Sequence, residues 1–237
     1  MNDLFEHEKD ESSDSNSNRP LADKLRPKQI SEVIGQAHVL GPEAPLGVML
    51  EAKSLSSLIF WGPPGVGKTT IARLLADHVD LAFVQISAIF SGVADLKKVF
   101  QAATIRHQNG QGTLLFVDEI HRFNKAQQDG FLPYMENGTI LLVGATTENP
   151  SFELNAALLS RSQVLVLERL SLIDLEFLAQ RAEKLLEKKL PLTNDSRDAL
   201  LEMADGDGRT LLNLIEQVSA WKLNASLDRD ALAKRLM

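Results

Sequence analysis

This sequence predicts an α/β fold, a five-stranded parallel sheet with helices on both faces followed by a small all-helical region. Three observations carry the expectation. Five short apolar runs alternate with amphipathic stretches from residue 57 onward, a glycine-rich loop joins the first run to a helical pattern, and strand signals cease after Leu170. Continuous apolar runs of this length are strands buried on both faces, and a parallel sheet supplies the cover because each crossover lays a helix on one face.

The elements follow in chain order. Residues 1–20 are rich in Ser, Asn, Asp and Glu and nearly free of large apolar groups. Such a segment buries too little surface to offset its ordering entropy, and a disordered acidic tail is expected there. Strands are expected over 58–61, 83–86, 114–117, 140–145 and 164–167. Between the third and the fourth, Asn124 precedes Lys125-Ala126-Gln127 as an N-cap with Gln three residues on, Phe131, Leu132 and Met135 share a face, and Asn137-Gly138 supplies the stop. That pattern predicts one helix, weakened from within by Gly130 and Pro133. Beyond Leu170 the helices are expected over 172–190, 195–204, 209–223 and 230–236, punctuated by Pro191 and by Asp205-Gly206-Asp207-Gly208. The expected division is a tail over 1–20, an α/β domain over 21–170 and a helical domain over 171–237.

Composition sets limits on function. The 237 residues are 44% hydrophobic, enough for an ordinary globular core. With no cysteine there is no disulfide, thiol nucleophile or thiolate metal site, which suits a reducing cytoplasm. No run approaches the roughly 18 apolar residues that would span a bilayer, and the acidic start lacks the order of a signal peptide. Of the net charge of −7, −4 sits on residues 1–20 and −3 on the rest, so any nucleic-acid contact must come from a local basic patch. The histidines at 7, 38, 78, 107 and 121 show no metal-ligand spacing, and no zinc site is assigned.

The chemistry is concentrated in two stretches. Gly62-Pro63-Pro64-Gly65-Val66-Gly67-Lys68-Thr69, with Thr70 behind it, lies between an apolar strand and a helix. Glycines there free consecutive backbone N–H groups to face phosphate oxygens, Lys68 reaches the β- and γ-phosphates, and the Thr69 hydroxyl takes a place on magnesium; the expected ligands are ATP and Mg2+. The run 114–117 ends in Asp118 and Glu119. A strand aimed at the phosphates presents acids beside the loop, so Asp118 is assigned to the metal and Glu119 to polarising an attacking water.

Three further places are candidates. In Gly144-Ala145-Thr146-Thr147, after the fourth strand, a hydroxyl would lie between the two acids, or the threonine pair is simply strand structure. Arg161, before the fifth strand, is either an ordinary solvated charge or a group that could reach a neighbouring subunit's nucleotide, and Arg209, at a helix start, is either a cap or salt-bridge residue or a contact to the γ-phosphate of its own chain. Asp118-Glu119-Ile120-His121 also matches the second motif of some nucleic-acid helicases, but the chain is short for two motor domains and lacks an arginine-rich later motif.

With these residues in place, the chain resembles AAA+ P-loop ATPases and, more narrowly, the replication-associated recombination protein A family. The likeness rests on Arg26-Pro27 leading to Val33-Ile34-Gly35-Gln36, on the phosphate loop, and on the runs 116–129 and 144–152, with their Arg122-Phe123-Asn124-Lys125 and Glu148-Asn149-Pro150-Ser151-Phe152 continuations. It extends from about residue 20 to about residue 225. The resemblance implies that Thr147 is sensor 1, Arg161 an arginine finger acting in trans and Arg209 sensor 2 in a helical lid. Residues 25–40, with Arg26 and Ile34, are similar to the linker that packs around adenine.

It implies a DNA-dependent ATPase at stalled or gapped replication forks, with DNA and a single-strand DNA-binding protein as partners, nucleoid-associated in the cytoplasm. Family members continue into a further helical region that carries tetramerisation, so a homo-oligomer is expected of the longer protein and a monomer of this chain. The competing readings are a clamp-loading or branch-migration motor, a nucleotide-gated recruitment module with little hydrolysis, and a small-molecule kinase.

Overall fold

The structure is a computed structural model in which residues 19–221 and 225–236 are described. Nearly all of the expected acidic tail, and the end of the helix expected over 209–223, lie outside them. Ahead of the sheet come α1 (Leu21–Lys24), a 3₁₀ turn (Ile30–Glu32), α2 (Ala37–Leu40) and α3 (Pro45–Glu51). The alternating part runs β1 (Leu58–Trp61), α4 (Lys68–His78), β2 (Ala82–Ser87), α5 (Val93–Gln108), β3 (Thr113–Asp118), a 3₁₀ turn (Ile120–Arg122), α6 (Lys125–Asp129), α7 (Leu132–Glu136), β4 (Ile140–Thr146), α8 (Pro150–Glu153), α9 (Ala156–Ser160) and β5 (Gln163–Val166). Four helices close the chain: α10 (Leu172–Leu186), α11 (Asn194–Ala204), α12 (Gly208–Ala220) and α13 (Arg229–Leu236).

The five strands are all parallel, in the order β2-β3-β4-β1-β5. Period-two alternation sends Leu58 and Phe60 to one face and Ile59 to the other, and all three are fully buried. Phe116 joins Leu58 and Phe60 under α4, while Leu115, Val117 and Leu142 pack with Ile59 under α5. A third cluster, of Leu175, Leu200, Leu211 and Ile215 with Leu21 of α1, belongs to the closing helices. Because all strands are parallel, one end of the sheet collects every C-terminal strand end, which is where α/β sheets bind ligands.

The helix expected after Asn124 is interrupted. Its start is as read, with Gln127 N donating to Asn124 Oδ1 at 3.0 Å and Asn124 N donating to Gln127 Oε1 at 3.0 Å. It ends at Asp129, however, and a second helix starts at Leu132. Pro133 has no N–H for the Asp129 carbonyl and its ring crowds the preceding turn, so the ladder breaks before it, at Gly130 and Phe131, and Pro133 sits in the first turn of α7, where its missing N–H is no loss. The expected helix over 172–190 ends at Leu186, with Glu187 at φ 51° as a left-handed cap.

Candidate nucleotide-binding site

The loop 62–69 joins the C-terminal end of β1 to α4, and its backbone is shaped by glycine. Gly65 and Gly67 take φ of 71° and 101°, a region that side chains with a Cβ rarely enter, and Gly67 is the N-cap of α4. Val66 between them is 2% exposed and packs into the core under α4, anchoring the loop from below. Lys68, at the first helical position, is 8% exposed. Its Nζ donates to Gly62 O at 2.7 Å and to Pro63 O at 2.8 Å, and no carboxylate pairs with it among the described residues. Burial holds this ammonium below the ordinary lysine range, an effect partly offset by Glu119 and Asp118 and reinforced by Arg209. A buried cation without a counter-ion at a helix N-terminus is an environment that an anion completes.

A cavity of about 500 Å³ opens beside the loop. Its floor is Pro64 to Thr70, its far wall is Asp118 and Glu119 at the end of β3, and Arg26, Val33 and Ile34 close it from the N-terminal side. Leu178 of α10 with Arg209 and Leu212 of α12 cover it from the helical side. Arg26 is held at the rim by Asp23, at 2.7 Å. The covering helices are tied to the loop itself, since Gly208 N donates to Gly65 O at 3.3 Å and the Asp207 side chain occupies the space that a Cβ on Gly65 would need.

Glu119 has an unusual backbone for its type, at φ 52° and ψ 46°. The left-handed turn redirects the chain from β3 into the 3₁₀ turn, which drops Ile120 into the core. Gly144 of β4 makes the room: a Cβ there would lie 2.8 Å from Ile59 Cδ1 and 2.9 Å from Ile120 Cδ1. Thr147, just past β4, sets its hydroxyl 3.4 Å from Glu119 Oε2. It thus meets one carboxylate directly, where the sequence suggested a place between two.

Arg161 lies elsewhere. It precedes β5 and shares a groove with Ser57, Thr113 and Ile140, which stand at the starts of β1, β3 and β4. This is the N-terminal rim, the opposite end of the sheet from the phosphate loop. Arg161 is exposed there and pairs with Glu136 at 2.6 Å.

Residues 58–170 match the family model of ATPases associated with various cellular activities (AAA). Over 209 residues the chain is 47% identical to a replication-associated recombination protein A of Coxiella burnetii, and over 212 residues 45% identical to the protein of that name in Escherichia coli K12; each match takes in 86% of this chain. The chain carries an AAA ATPase domain, and over most of its length it is similar to replication-associated recombination protein A. It spans 47% of the length of each of these two relatives. The fold is shared with a solved motor: the Holliday junction branch migration motor RuvB of Thermotoga maritima superposes with a TM-score of 0.73 at 27% identity, over 90% of this chain and 72% of that one.

Several residues that shape this AAA site carried little signal in the sequence. Asp207 was legible only as part of a turn, yet its carboxylate accepts from Thr210 N at 2.9 Å to cap α12 and stands against the loop. Arg181 of α10 donates to Glu32 O at 2.9 Å, tying the helical cover to the adenine-side segment across 149 residues. Long-range pairings of this kind have no periodicity to reveal them. His121 had a signal, the helicase-like Asp-Glu-Ile-His match, which pointed to the residue but not to what it touches.

Proposed function

We propose that this chain is the motor portion of a DNA-dependent ATPase that acts at stalled or gapped replication forks in replication, recombination and repair. Residues 21–170 serve as the nucleotide-binding domain and 171–237 as a helical lid. One observation carries the reading: a buried Lys68 without an ion pair, two carboxylates and Arg209 converge on a single cavity between the sheet's C-terminal rim and the closing helices. The names borne by the relatives, and a neighbour that works on DNA junctions, supply the DNA context.

The proposed division of labour follows from charge. The backbone N–H groups of 65–69 and the Lys68 ammonium take the β- and γ-phosphates, and Arg209 adds positive charge from the lid side. Thr69 and Asp118 supply two oxygen donors beside the loop, a hard set suited to Mg2+, which would neutralise phosphate charge. Glu119 accepts the proton of a water whose oxygen bonds to the γ-phosphorus, while the bond to the β–γ bridging oxygen breaks and ADP leaves. Arg161, at the opposite rim, is suited to the site of an adjoining copy in a homo-oligomer, and Thr147 to holding Glu119.

ATP binding and steady-state hydrolysis, with and without forked DNA, test the reading on the wild type and on Lys68→Ala and Glu119→Gln. The expected result is DNA-stimulated turnover in the wild type, no binding in Lys68→Ala, and binding without turnover in Glu119→Gln. Tight ATP binding with no hydrolysis by an assembled wild-type oligomer under any DNA condition would replace it with the recruitment module. A separate reading, a junction motor of the branch-migration kind, is favoured by the RuvB superposition. Stronger stimulation by four-way junctions than by forks would select it.

A further inference from the structure

His121 is 5% exposed at its side chain, and the mechanism above gives it nothing to do. Its Nδ1 lies 2.9 Å from Thr146 Oγ1 and 3.3 Å from Glu119 Oε2, while its Nε2 is buried with no hydrogen-bond partner. The neighbours determine which nitrogen carries the proton. The Thr146 hydroxyl already donates to Glu148 O at 3.1 Å and accepts from Glu148 N at 3.0 Å. Its hydrogen is therefore committed, and Thr146 Oγ1 meets His121 as an acceptor. A proton on Nε2 instead would bury an unmatched donor and set the Nδ1 lone pair against a carboxylate oxygen, costs that the other tautomer avoids. The proton belongs on Nδ1, shared between Thr146 and Glu119.

We infer that His121 is a positioning residue for Glu119, an inference that rests on the assignment of Glu119 to hydrolysis. Two donors, His121 Nδ1 from the 3₁₀ turn and Thr147 Oγ1 from the end of β4, converge on Oε2. Among the described residues no protein donor meets Oε1, so fixing one oxygen leaves the other for the attacking water. Thr146, fully buried, holds the imidazole in turn through a hydroxyl locked into the turn at Glu148. The carboxylate is thus oriented by a relay of three side chains on two strand ends rather than by its own rotamer alone.

The test uses two amide side chains that place a donor differently: Asn reproduces Nδ1 of histidine and Gln reaches toward Nε2. kcat and KM for ATP hydrolysis and the nucleotide Kd are measured for His121→Ala, His121→Asn and His121→Gln, with thermal unfolding as a check on the fold. His121→Ala is expected to lower kcat by about 10- to 100-fold, the range for losing a hydrogen bond to a charged group, with Kd within about twofold of wild type. His121→Asn is expected to recover most of kcat and His121→Gln little of it. Should His121→Ala fail to fold, the Asn and Gln pair decides alone. Equal rates in Asn and Gln variants that bind nucleotide normally would overturn the inference, as would an unchanged kcat in His121→Ala. Undiminished hydrolysis by Glu119→Gln alone would refute the role of Glu119, a failure distinguishable from that of His121.

Discussion

The two rims of the sheet differ in how each holds its cation. At the C-terminal rim Lys68 is buried against carbonyls with no carboxylate partner among the described residues, and it shares a cavity with Thr69, Asp118, Glu119 and Arg209. At the N-terminal rim Arg161 is exposed and already has such a partner, Glu136, with its NH1 also donating to Ala157 O at 3.1 Å. The first cation has only carbonyl partners among the described residues and the second has a carboxylate. A surface pair of this kind contributes about 0–1 kcal/mol, so it holds Arg161 in register at little cost to its release. On our proposal the two rims are halves of one site that meet only when copies adjoin.

The sharpest way to break that contrast is to remove each cation. Lys68→Ala should abolish nucleotide binding outright, read by titration with a fluorescent ATP analogue, whereas Arg161→Ala should leave the Kd within about twofold. If the loss at Arg161 also removes binding, the two rims are not separate. The next effect in size lies in rate. Within an assembled homo-oligomer, Arg161→Ala should lower hydrolysis by about 10³- to 10⁵-fold, as for other arginine fingers. Mixing it with Lys68→Ala subunits should restore part of the activity, and an assembled mixture that stays inert would count against action in trans.

A smaller effect sharpens the comparison at the lid. Asp207→Ala removes the cap of α12 and should lower stability by about 1 kcal/mol in urea unfolding. Because the same residue stands against Gly65, nucleotide affinity should fall with it. An affinity change without a stability change would assign the residue to the loop rather than to the helix.

The C-terminal rim was far more legible in the sequence than its counterpart, and the reason is physical. A phosphate loop needs glycines at positive φ, a lysine and a hydroxyl within one turn of chain, so residues 62–69 carry their own signature, and β1 fell on the expected residues because an unbroken apolar run has no other use. Asp118 and Glu119 were readable because they end such a run. The relation of Arg161 to the cavity was not, since it depends on strand order, and the order β2-β3-β4-β1-β5 is set by crossovers that leave no local pattern. The four elements before β1 were missed for a similar reason: they are short, and α1 is held by packing against α12 rather than by a periodic face of its own. His121 and Thr146 share the difficulty, being 25 residues apart in the chain and 2.9 Å apart in space.

The left-handed backbone at Glu119 sets the proposed activity against stability. A non-glycine residue held there carries a strain of about 1–2 kcal/mol that glycine would relieve. Glu119→Gly would relieve that strain, less glycine's own entropic cost of about 0.5–1 kcal/mol, and would remove the proposed hydrolytic acid with it. On the proposed role of Glu119, thermal robustness and ATP consumption compete at one codon, and laboratory evolution of this motor would have to be screened for both at once.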